Sequence, residues 1–454
     1  MADEFERMTT VNIAERSNSE PEWLLPILTQ SAQQETLESQ RKLRIHKVPP
    51  ILRDVNTHTE SFDPMVVSFG PYHHGNPKLA MVEKLKTTIA KQFIFGREDL
   101  QEFCKFEEVA RGAREYYDEE STARFSDEEF MRMMFLDGCL LLYSIDRIAK
   151  DKLSEDTKIK NSQMAFISRD ILLLENQLPF VVLQALMSLN IPGDEGEGLV
   201  HEFIGKQTRS ISYHSSENQD QDQPPHILHL LRKELVGTEP QQEPIQELSN
   251  WHSFRSVTEL RAGGIECRES PSSSLKDVSF KIQRFQGNLF LPSIVVDDIT
   301  RSLLLNLVAY EACPDFANDY AVTSYICFMD ALIDHSEDVK ELRTKGILLN
   351  LLGSDEKVAD LFNDLATNLV PNPNQYLEVK DSIEKYYKKK RVIWMTEMLE
   401  THFRSPWTAV GFFVAMVIIL LTFVQSYFSI FPRGNGGSKK SPSRSPGRKI
   451  SWND

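Results

Sequence analysis

Ionisable and amide side chains interrupt the most apolar stretches of this sequence. Asp137 lies in FLDGCLLL, Arg169 and Asp170 lie in ISRDILLL, and Glu175 and Asn176 lie in LLLENQLPF. A buried charge is costly unless it is paired, so we predict that these residues form an internal structural network in which Arg169 is the natural cation. Burial also raises the pKa of catalytic acids, and a carboxylate pair for general acid/base catalysis is therefore the alternative.

Two of the amides stand at a predicted helix end. Apolar spacing predicts one helix from Met164 to Leu178 and a second that begins at Pro179. Asn176 and Gln177 lie where the first helix must stop, and there their side chains can satisfy backbone carbonyls that lack a helical partner. This stretch is thus predicted to shape the chain.

A pair of histidines follows a tight turn in the stretch VVSFGPYHHG. Gly70 and Pro71 predict the turn, and Tyr72 can bury its ring while its hydroxyl finds a partner. His73 and His74 are adjacent, so in an extended segment they point to opposite faces and do not easily share one metal ion. No carboxylate lies nearby in sequence at ligand spacing. We predict a structural turn, with a partner contact, a pH-sensitive role, or a metal or catalytic site as alternatives.

Other candidate sites are weaker. His226 and His229 in PPHILHLL lie on one face of a short helix, but no cysteine is near them in sequence, so we interpret them as helix surface rather than half of a zinc site. The sequence contains no G-x-S-x-G, G-x-x-x-x-G-K-[ST] or H-E-x-x-H motif. The stretch GDEGEGLV is rich in glycine, but its acidic residues would repel a phosphate. Binding is therefore favoured over catalysis, with no cofactor and no metal expected.

Composition bounds the class of protein. The 454 residues, 41% hydrophobic and 26% charged, are typical of globular domains, and the formal net charge of -15 argues against nucleic acid as a partner. Five cysteines without a C-x-x-C pair indicate reduced thiols in a reducing compartment. They are Cys104, Cys139, Cys267, Cys313 and Cys327.

A single apolar segment near the C-terminus predicts a membrane anchor. No charged residue occurs from Trp407 to Phe431, and a helix of that length exceeds the roughly 30 Å thickness of a bilayer core. Aromatic residues at both edges suit the two interfaces of a membrane. The residues predicted to form this anchor include Trp407, Gly411, Phe412, Ile418, Leu420 and Tyr427.

Basic residues flank the segment on both sides, so the distribution of positive charge does not decide its orientation in the membrane. Other signals are needed. The acidic N-terminus carries no signal peptide and the chain has no N-x-[ST] acceptor, so we favour a tail-anchored protein of the plasma membrane that faces the cytosol. The tail contains SPSR and SPGR, which resemble proline-directed phosphorylation sites. A tail that is phosphorylated in the cytosol would instead place the helical domain on the outer side of the membrane. The cluster Lys388, Lys389, Lys390 and Arg391 is predicted to lie near anionic lipid, or else to form a solvated helix face.

Changes in composition divide the chain. We predict a polar arm over residues 1–44, a helical domain over 45–404, the membrane helix over 407–431 and a basic, Ser/Pro-rich tail over 432–454. Within the helical domain, residues 193–249 are rich in Asp, Glu, Gln, Ser and Pro, which predicts a partly disordered acidic insertion.

Periodicity predicts a mainly α fold of the α+β class, with a small sheet or hairpin. Residues Val278–Phe285 alternate like a strand, and Gly287 and Asn288 predict the turn that follows. Apolar residues recur at helical spacing in the other segments. The predicted helices include Met81–Phe95, Glu128–Ile148, Ile299–Ala312, Ser324–Leu332, Val358–Leu369 and Asp381–Phe403.

Ten stretches together resemble one plant family. They include VPPILRDVN, VSFGPYHHG, MFLDGCLLL, DILLLENQLPF, FRSVTELRAGGI, LFLPSIVVDD and DVKELRTKGILLNLLGSDEKVADLFNDL, and they follow the order typical of the domain-of-unknown-function family DUF247, also called UPF0481. The resemblance covers roughly residues 45–430. It implies a mostly helical region and one C-terminal membrane helix. The stretch AGGIECRES at 262–270 departs from the family's usual AGV-type sequence.

The resemblance implies no established chemistry, although some members in grasses are linked to pollen-side self-incompatibility. We therefore predict a non-enzymatic, membrane-anchored protein that recognises an unknown protein partner. One alternative is an uncharacterised enzyme built around Asp137, Asp170 and Glu175. Another is a tail-anchored adaptor in membrane trafficking.

Overall fold

The computed structural model forms two units, Met1–Ile383 and Glu384–Asp454. The first unit, called the body below, is mainly helical with two small sheets. The predicted polar arm and basic tail lie outside the described residues. The structure describes residues 44–55, 59–95, 101–151, 159–190, 195–208, 223–237, 255–283, 286–316, 319–389 and 406–430.

A 23-residue helix, Asp127–Ala149, organises the first half of the body. A capping box starts it, since Ser126 accepts the Glu129 N–H and Glu129 accepts the Ser126 N–H. Because the helix is apolar on most of its surface, it is contacted by α2, α3, α6, α7 and α8. The helices of this half are α1 (Pro50–Val55), α2 (Ala80–Ile94), α3 (Gln101–Gly112), α4 (Glu119–Thr122), α5 (Asp127–Ala149), α6 (Asn161–Asp170), α7 (Phe180–Asn190), α8 (Glu195–Thr208) and α9 (Ile227–Val236).

The second half adds the sheets. In the three-stranded sheet the order is β1-β3-β2, with β1 parallel and β2 antiparallel to β3, and β4 pairs in parallel with β5. The elements are α10 (Val257–Ala262), β1 (Ile265–Glu269), β2 (Ser279–Gln283), β3 (Gln286–Leu291), β4 (Ile294–Val296), α11 (Thr300–Glu311), α12 (Ala321–Leu332), α13 (Ser336–Thr344), β5 (Leu348–Asn350) and α14 (Asp355–Ala366).

Gly287 lies within a strand of the sheet and not in a turn. The predicted turn at Gly287 and Asn288 is wrong, since both residues lie inside β3, where Gly287 is opposite Ile265 and Ile282. A Cβ on Gly287 would lie 2.8 Å from the Phe280 ring and 2.9 Å from Ile265, so glycine is needed there for close packing and not for a turn. In the divergent AGGIECRES stretch, Gly264 has a φ of +81° and the strand begins at the next residue.

Helix boundaries also differ from the predictions. The helix expected to reach Leu178 ends at Asp170, because the side chains that follow turn back to bond the backbone, and α7 begins at Phe180. In the range predicted as an acidic insertion, α8 buries Val200, Phe203 and Ile204. The rest of that range, apart from residues 223–237, lies outside the described residues.

The C-terminal helices are described in part. Residues 377–389 are helical, and residues 390–405 of the predicted last helix lie outside the description. A further helix, Pro406–Ile430, belongs to the second unit, and its side chains are described from Phe413 to Tyr427. Within the described part of the chain, no single helix is long and apolar enough to cross a membrane. The membrane helix predicted over Trp407–Phe431 therefore stays a prediction.

Candidate functional site

A segment of the body without regular secondary structure, residues 65–70, pairs with no strand among the described residues and bonds to helix side chains instead. The N–H groups of Met65, Val66 and Val67 donate to the carboxylate of Asp170 at 3.0, 2.8 and 3.1 Å. Asp170 is the last residue of α6. One carboxylate thus satisfies three consecutive backbone donors that burial would otherwise leave unpaired.

The rest of the segment is held in the same way. The Phe69 N–H donates to Asn176 Oδ1 at 2.7 Å, and the Asn176 amide donates to Val67 O at 3.1 Å and to Asp170 O at 2.8 Å. The Gly70 N–H donates to Asp137 Oδ2 at 2.8 Å. The prediction that Asn176 would satisfy free backbone carbonyls is confirmed.

Gln177 has the same function on the other side of the turn. Its amide donates to Ile171 O at 2.7 Å and to Leu173 O at 2.8 Å, and its oxygen accepts the Leu228 N–H at 3.0 Å. Gln177 therefore satisfies two backbone carbonyls that follow α6, and it also accepts an N–H group in the first turn of α9. Both contacts agree with its predicted capping role.

Lys86 is the cation that pairs with Asp137. Its ammonium lies 2.7 Å from Asp137 Oδ1, 2.6 Å from Glu83 Oε1 and 2.6 Å from Ser68 O, and both Lys86 and Asp137 are only 1% exposed. The sequence-based assignment of Arg169 as the general partner missed this lysine. A usable signal existed, since Lys86 lies on the same helical face as Val82 and Ile89, where a solvated lysine is not expected.

Arg169 pairs with its own neighbour, and the predicted ion pair with Asp170 is confirmed at 2.9 Å. The guanidinium also donates to Glu60 O at 2.7 Å and to Asp63 O at 3.0 Å. Arg169 therefore fixes the backbone at Glu60 and Asp63, just before the segment 65–70. It also positions the Asp170 carboxylate that this segment bonds.

Glu175 ties the N-terminal part of the body to the histidine turn. Its Oε1 accepts the Val48 N–H at 2.8 Å, and its Oε2 lies 3.0 Å from Arg53 Nη2 and 3.4 Å from His73 Nε2. The His73 contact is within ion-pair range but is not aligned as a hydrogen bond. Glu175 reaches His73 from a distant part of the chain, so the carboxylate beside His73 could not be identified from its neighbours in sequence.

Contacts within the body hold the turn itself. Gly70 has a φ of +73°, and a Cβ there would lie 3.0 Å from the Tyr117 hydroxyl, so only glycine fits without strain. Tyr72 is half-buried and donates to Ile45 O at 2.5 Å, while Arg124 donates to Pro71 O at 2.6 Å. His74 packs edge-on against Phe125, at 5.4 Å between ring centroids. The two histidines therefore contact different groups, His73 the Glu175 carboxylate and His74 the Phe125 ring.

The pKa shifts of the three acids follow from these contacts. Burial raises the pKa of Asp137 against the charge of Lys86, and burial raises the pKa of Asp170 against the N–H groups that it accepts. Burial also acts to raise the pKa of Glu175, but His73, Arg53 and the Val48 N–H outweigh it and lower that pKa below its ordinary value.

The interpretation of His226 and His229 as helix surface is wrong for His226, while His229 is half-buried. His226 is fully buried and its Nδ1 accepts the His229 N–H at 3.3 Å as the cap of α9, while His229 Nδ1 lies 2.8 Å from the Tyr310 hydroxyl. Burial lowers the pKa of His229 to about 4, and burial also lowers the pKa of His226 well below its ordinary value. Among the described side chains, no group of three or more His, Cys, Asp or Glu could hold a metal ion.

A second buried network escaped the sequence-based reasoning. Glu311 accepts Arg232 at 2.8 Å and the N–H groups of Val322 and Thr323 at 2.9 Å, so it caps the first turn of α12. Arg232 reaches it from α9. Glu311 stands in NLVAYEACP, an acid in an apolar helix, which is the same signal that identified Asp137.

The remaining predicted residues lie at the surface or outside the description. Ile418, Leu420 and Tyr427 are exposed on the helix Pro406–Ile430, whereas the side chains of Trp407, Gly411 and Phe412 are not described. Lys388 lies 3.8 Å from Glu384 and Lys389 is exposed, while Lys390 and Arg391 lie outside the described residues. The five cysteines are free thiols, and Cys104 is exposed.

Comparison with known proteins places similarity along nearly the whole chain. The family model DUF247, described as a plant protein of unknown function, matches residues 45–421. The UPF0481 protein At3g47200 of Arabidopsis thaliana is 28% identical over 437 residues, which covers 88% of this chain and 89% of the relative. The putative UPF0481 protein At3g02645 of the same plant is 22% identical over 496 residues, covering 85% and 90%. No solved structure matches this chain significantly.

Replacing Asp137 by Asn tests the Lys86 pair. The substitution keeps an acceptor for the Gly70 N–H but leaves a buried ammonium without the Asp137 charge, so we expect the free energy of unfolding to fall by about 3–5 kcal/mol. Adding Lys86→Met should recover at least about 2 kcal/mol, because the buried ammonium, which would then pair with Glu83 alone, is gone. Guanidinium unfolding measures both. Asp360→Asn on the exposed face of α14 is the control, and a loss as small as the control's would contradict the pairing.

The pH dependence of stability tests Glu175. Its folded-state pKa is lowered, so its stabilisation is fully present above the ordinary value of 4.5 and is lost as the pH falls through the lower folded value. We expect Glu175→Gln to cost about 1–3 kcal/mol at neutral pH and progressively less below about pH 4.5. Unfolding curves of parent and variant between acidic and neutral pH check this. Glu356→Gln, at an exposed position, should show no such trend. A difference that grows on acidification would refute the assignment.

Proposed function

The chain belongs to the DUF247 family of plant proteins of unknown function, and on that premise we propose that it is a membrane-anchored recognition protein without catalytic activity of its own. The body would present a surface to a protein partner, and the C-terminal helix would fix the body at a bilayer. We place the body on the cytosolic side of the plasma membrane.

The non-catalytic part of the proposal rests on the oxygens of the three buried acids. Asp137 bonds Lys86 and Gly70, Asp170 bonds Arg169 and the N–H groups of residues 65–67, and Glu175 bonds Val48 and Arg53. A general acid or base needs an oxygen within hydrogen-bond reach of the substrate. All six oxygens already have structural partners, so these acids support architecture and favour recognition over reaction.

The anchor rests on the exposed helix of the second unit. The helix spans Pro406–Ile430 without a charged residue, and its described side chains, from Phe413 to Tyr427, are exposed. At about 1.5 Å per residue, the 25 residues of the whole helix would extend beyond the roughly 30 Å of a bilayer core, whereas its described side chains alone, Phe413–Tyr427, are too few to span it. An exposed apolar surface of this kind favours transfer from water into lipid. Lys388 and Lys389 would then lie close enough to anionic headgroups to be attracted to them.

Charged substitutions test the anchor. Each lysine at the centre of a membrane helix costs about 3 kcal/mol, so Ile418→Lys with Leu420→Lys should release the full chain from membranes in an alkaline wash, whereas the parent sediments with them. Ile282→Lys with Leu349→Lys, at exposed apolar positions of the body, is the matched control and should stay bound. Release of the parent, or retention of the double variant, would refute the anchor. Protease added to sealed vesicles with the cytosolic face outward should digest the body.

A turnover assay tests the absence of catalysis. The purified full chain and Glu175→Gln are each incubated with a plant metabolite extract, and consumption of compounds is followed by mass spectrometry. We expect no compound that the parent consumes and the variant spares. Glu356→Gln serves as the control for nonspecific loss. A compound consumed by parent and control but not by a folded Glu175→Gln protein would favour the enzyme alternative.

A further inference from the structure

The solvent face of α2 and the short turn before it carry only positive charge. Lys78, Lys84 and Lys91 are exposed, and none of them pairs with a carboxylate among the residues that the structure describes. The acid in this helix, Glu83, is engaged by Lys86 and by the Ser68 hydroxyl. Because the chain as a whole has a net charge of -15, this basic face is a local reversal of sign.

Apolar side chains project from the two ends of the same face. Met81 is 70% exposed and Phe95 is 90% exposed, with Ile94 beside it. Met81, Lys84, Lys91 and Phe95 follow steps of three, seven and four residues, which places them on one side of a helix. The opposite side packs against α5, so these residues are not needed for the core of the body.

We propose that this face of α2, defined by Lys78, Met81, Lys84, Lys91 and Phe95, docks on an anionic lipid surface. The ammonium groups complement lipid phosphates and carboxylates, and the Phe95 ring and the Met81 side chain enter the boundary between headgroups and acyl chains. A purely electrostatic contact with an acidic protein would use the lysines but would give the exposed Phe95 no apolar surroundings. Charge and apolar exposure on one face therefore favour a bilayer.

This contact would be a second attachment of the body to lipid, and it does not depend on the proposed anchor. A basic face on α2 would orient the body and make that orientation depend on the anionic lipid content of the membrane. Attraction of this kind weakens in high salt, because the screening length falls to about 3 Å at 1 M.

The test uses the full chain in lipid nanodiscs of phosphatidylcholine, with or without phosphatidylserine. An environment-sensitive NBD group is attached at Gln92→Cys, an exposed position of α2, in a Cys104→Ser background that removes an exposed thiol. We expect NBD emission to rise and shift to the blue only with phosphatidylserine, and to return in high salt to the level in phosphatidylcholine alone. Co-elution of the chain with nanodiscs reports the anchor separately.

Variants assign the effect to the face. Each lysine near an anionic surface contributes about a fivefold factor in binding, so replacing Lys78, Lys84 and Lys91 by Gln should remove the phosphatidylserine-dependent signal, and Phe95→Ser should weaken it. A control with Lys281, Lys340 and Lys357 replaced by Gln removes equal charge from other exposed positions and should keep the signal. If the chain does not enter nanodiscs, sedimentation with anionic vesicles replaces the fluorescence readout.

Equal emission with and without phosphatidylserine overturns the proposal, and the face then fits an acidic protein surface better. An equal loss in the control triple variant also overturns it, because general charge would then explain the binding. Failure of co-elution together with phosphatidylserine-dependent sedimentation would reject the anchor and support the α2 contact.

Discussion

The backbone of residues 65–70 sets the constraint on which the first half of the body depends. Apart from the exposed Met65, these residues are half buried to buried, and no strand pairs with them within the described part of the chain, so their N–H groups must find other acceptors. Asp137, Asp170 and Asn176 supply them from α5, from the end of α6 and from the turn after it. An unsatisfied buried amide costs about 1–3 kcal/mol, so a chain with several of them would not hold this conformation. The acids in these apolar helices therefore accept backbone N–H groups that a neighbouring strand would bond in a sheet.

The same residues connect distant parts of the body. Asn306 of α11 accepts the Leu174 N–H at 2.8 Å and donates to Ser61 O at 3.0 Å, which links the second half to both sides of the polar network. Glu175 joins Val48 to the histidine turn. Buried networks of this kind are strong only when every member is satisfied. The interior acids therefore restrict the packing of the helices.

The outer surface has a different charge pattern from the interior. Inside the body, cations and anions are matched at ion-pair distance, as in Lys86 with Asp137 and Arg232 with Glu311. Outside, the cations of α2 stand apart from acids, and the helix Pro406–Ile430 carries no charge. Ion pairs in the interior stabilise a conformation, whereas unmatched charge and apolar surface outside are available to a partner. This difference in charge pattern is the physical basis of the proposals that the interior ion pairs stabilise the fold and that the surface binds a partner.

The sequence alone determined the helical class, most core helices and the polar residues that had to be paired. These follow from local periodicity and from the cost of burying a charge, both of which can be read within a short window. Only the tertiary structure decided the partners. Lys86 meets Asp137 across two helices, Glu175 reaches His73, and Gly287 faces Phe280 inside a sheet rather than forming a turn. Partner choice depends on how elements distant in sequence pack together, and no local pattern of residues encodes that arrangement.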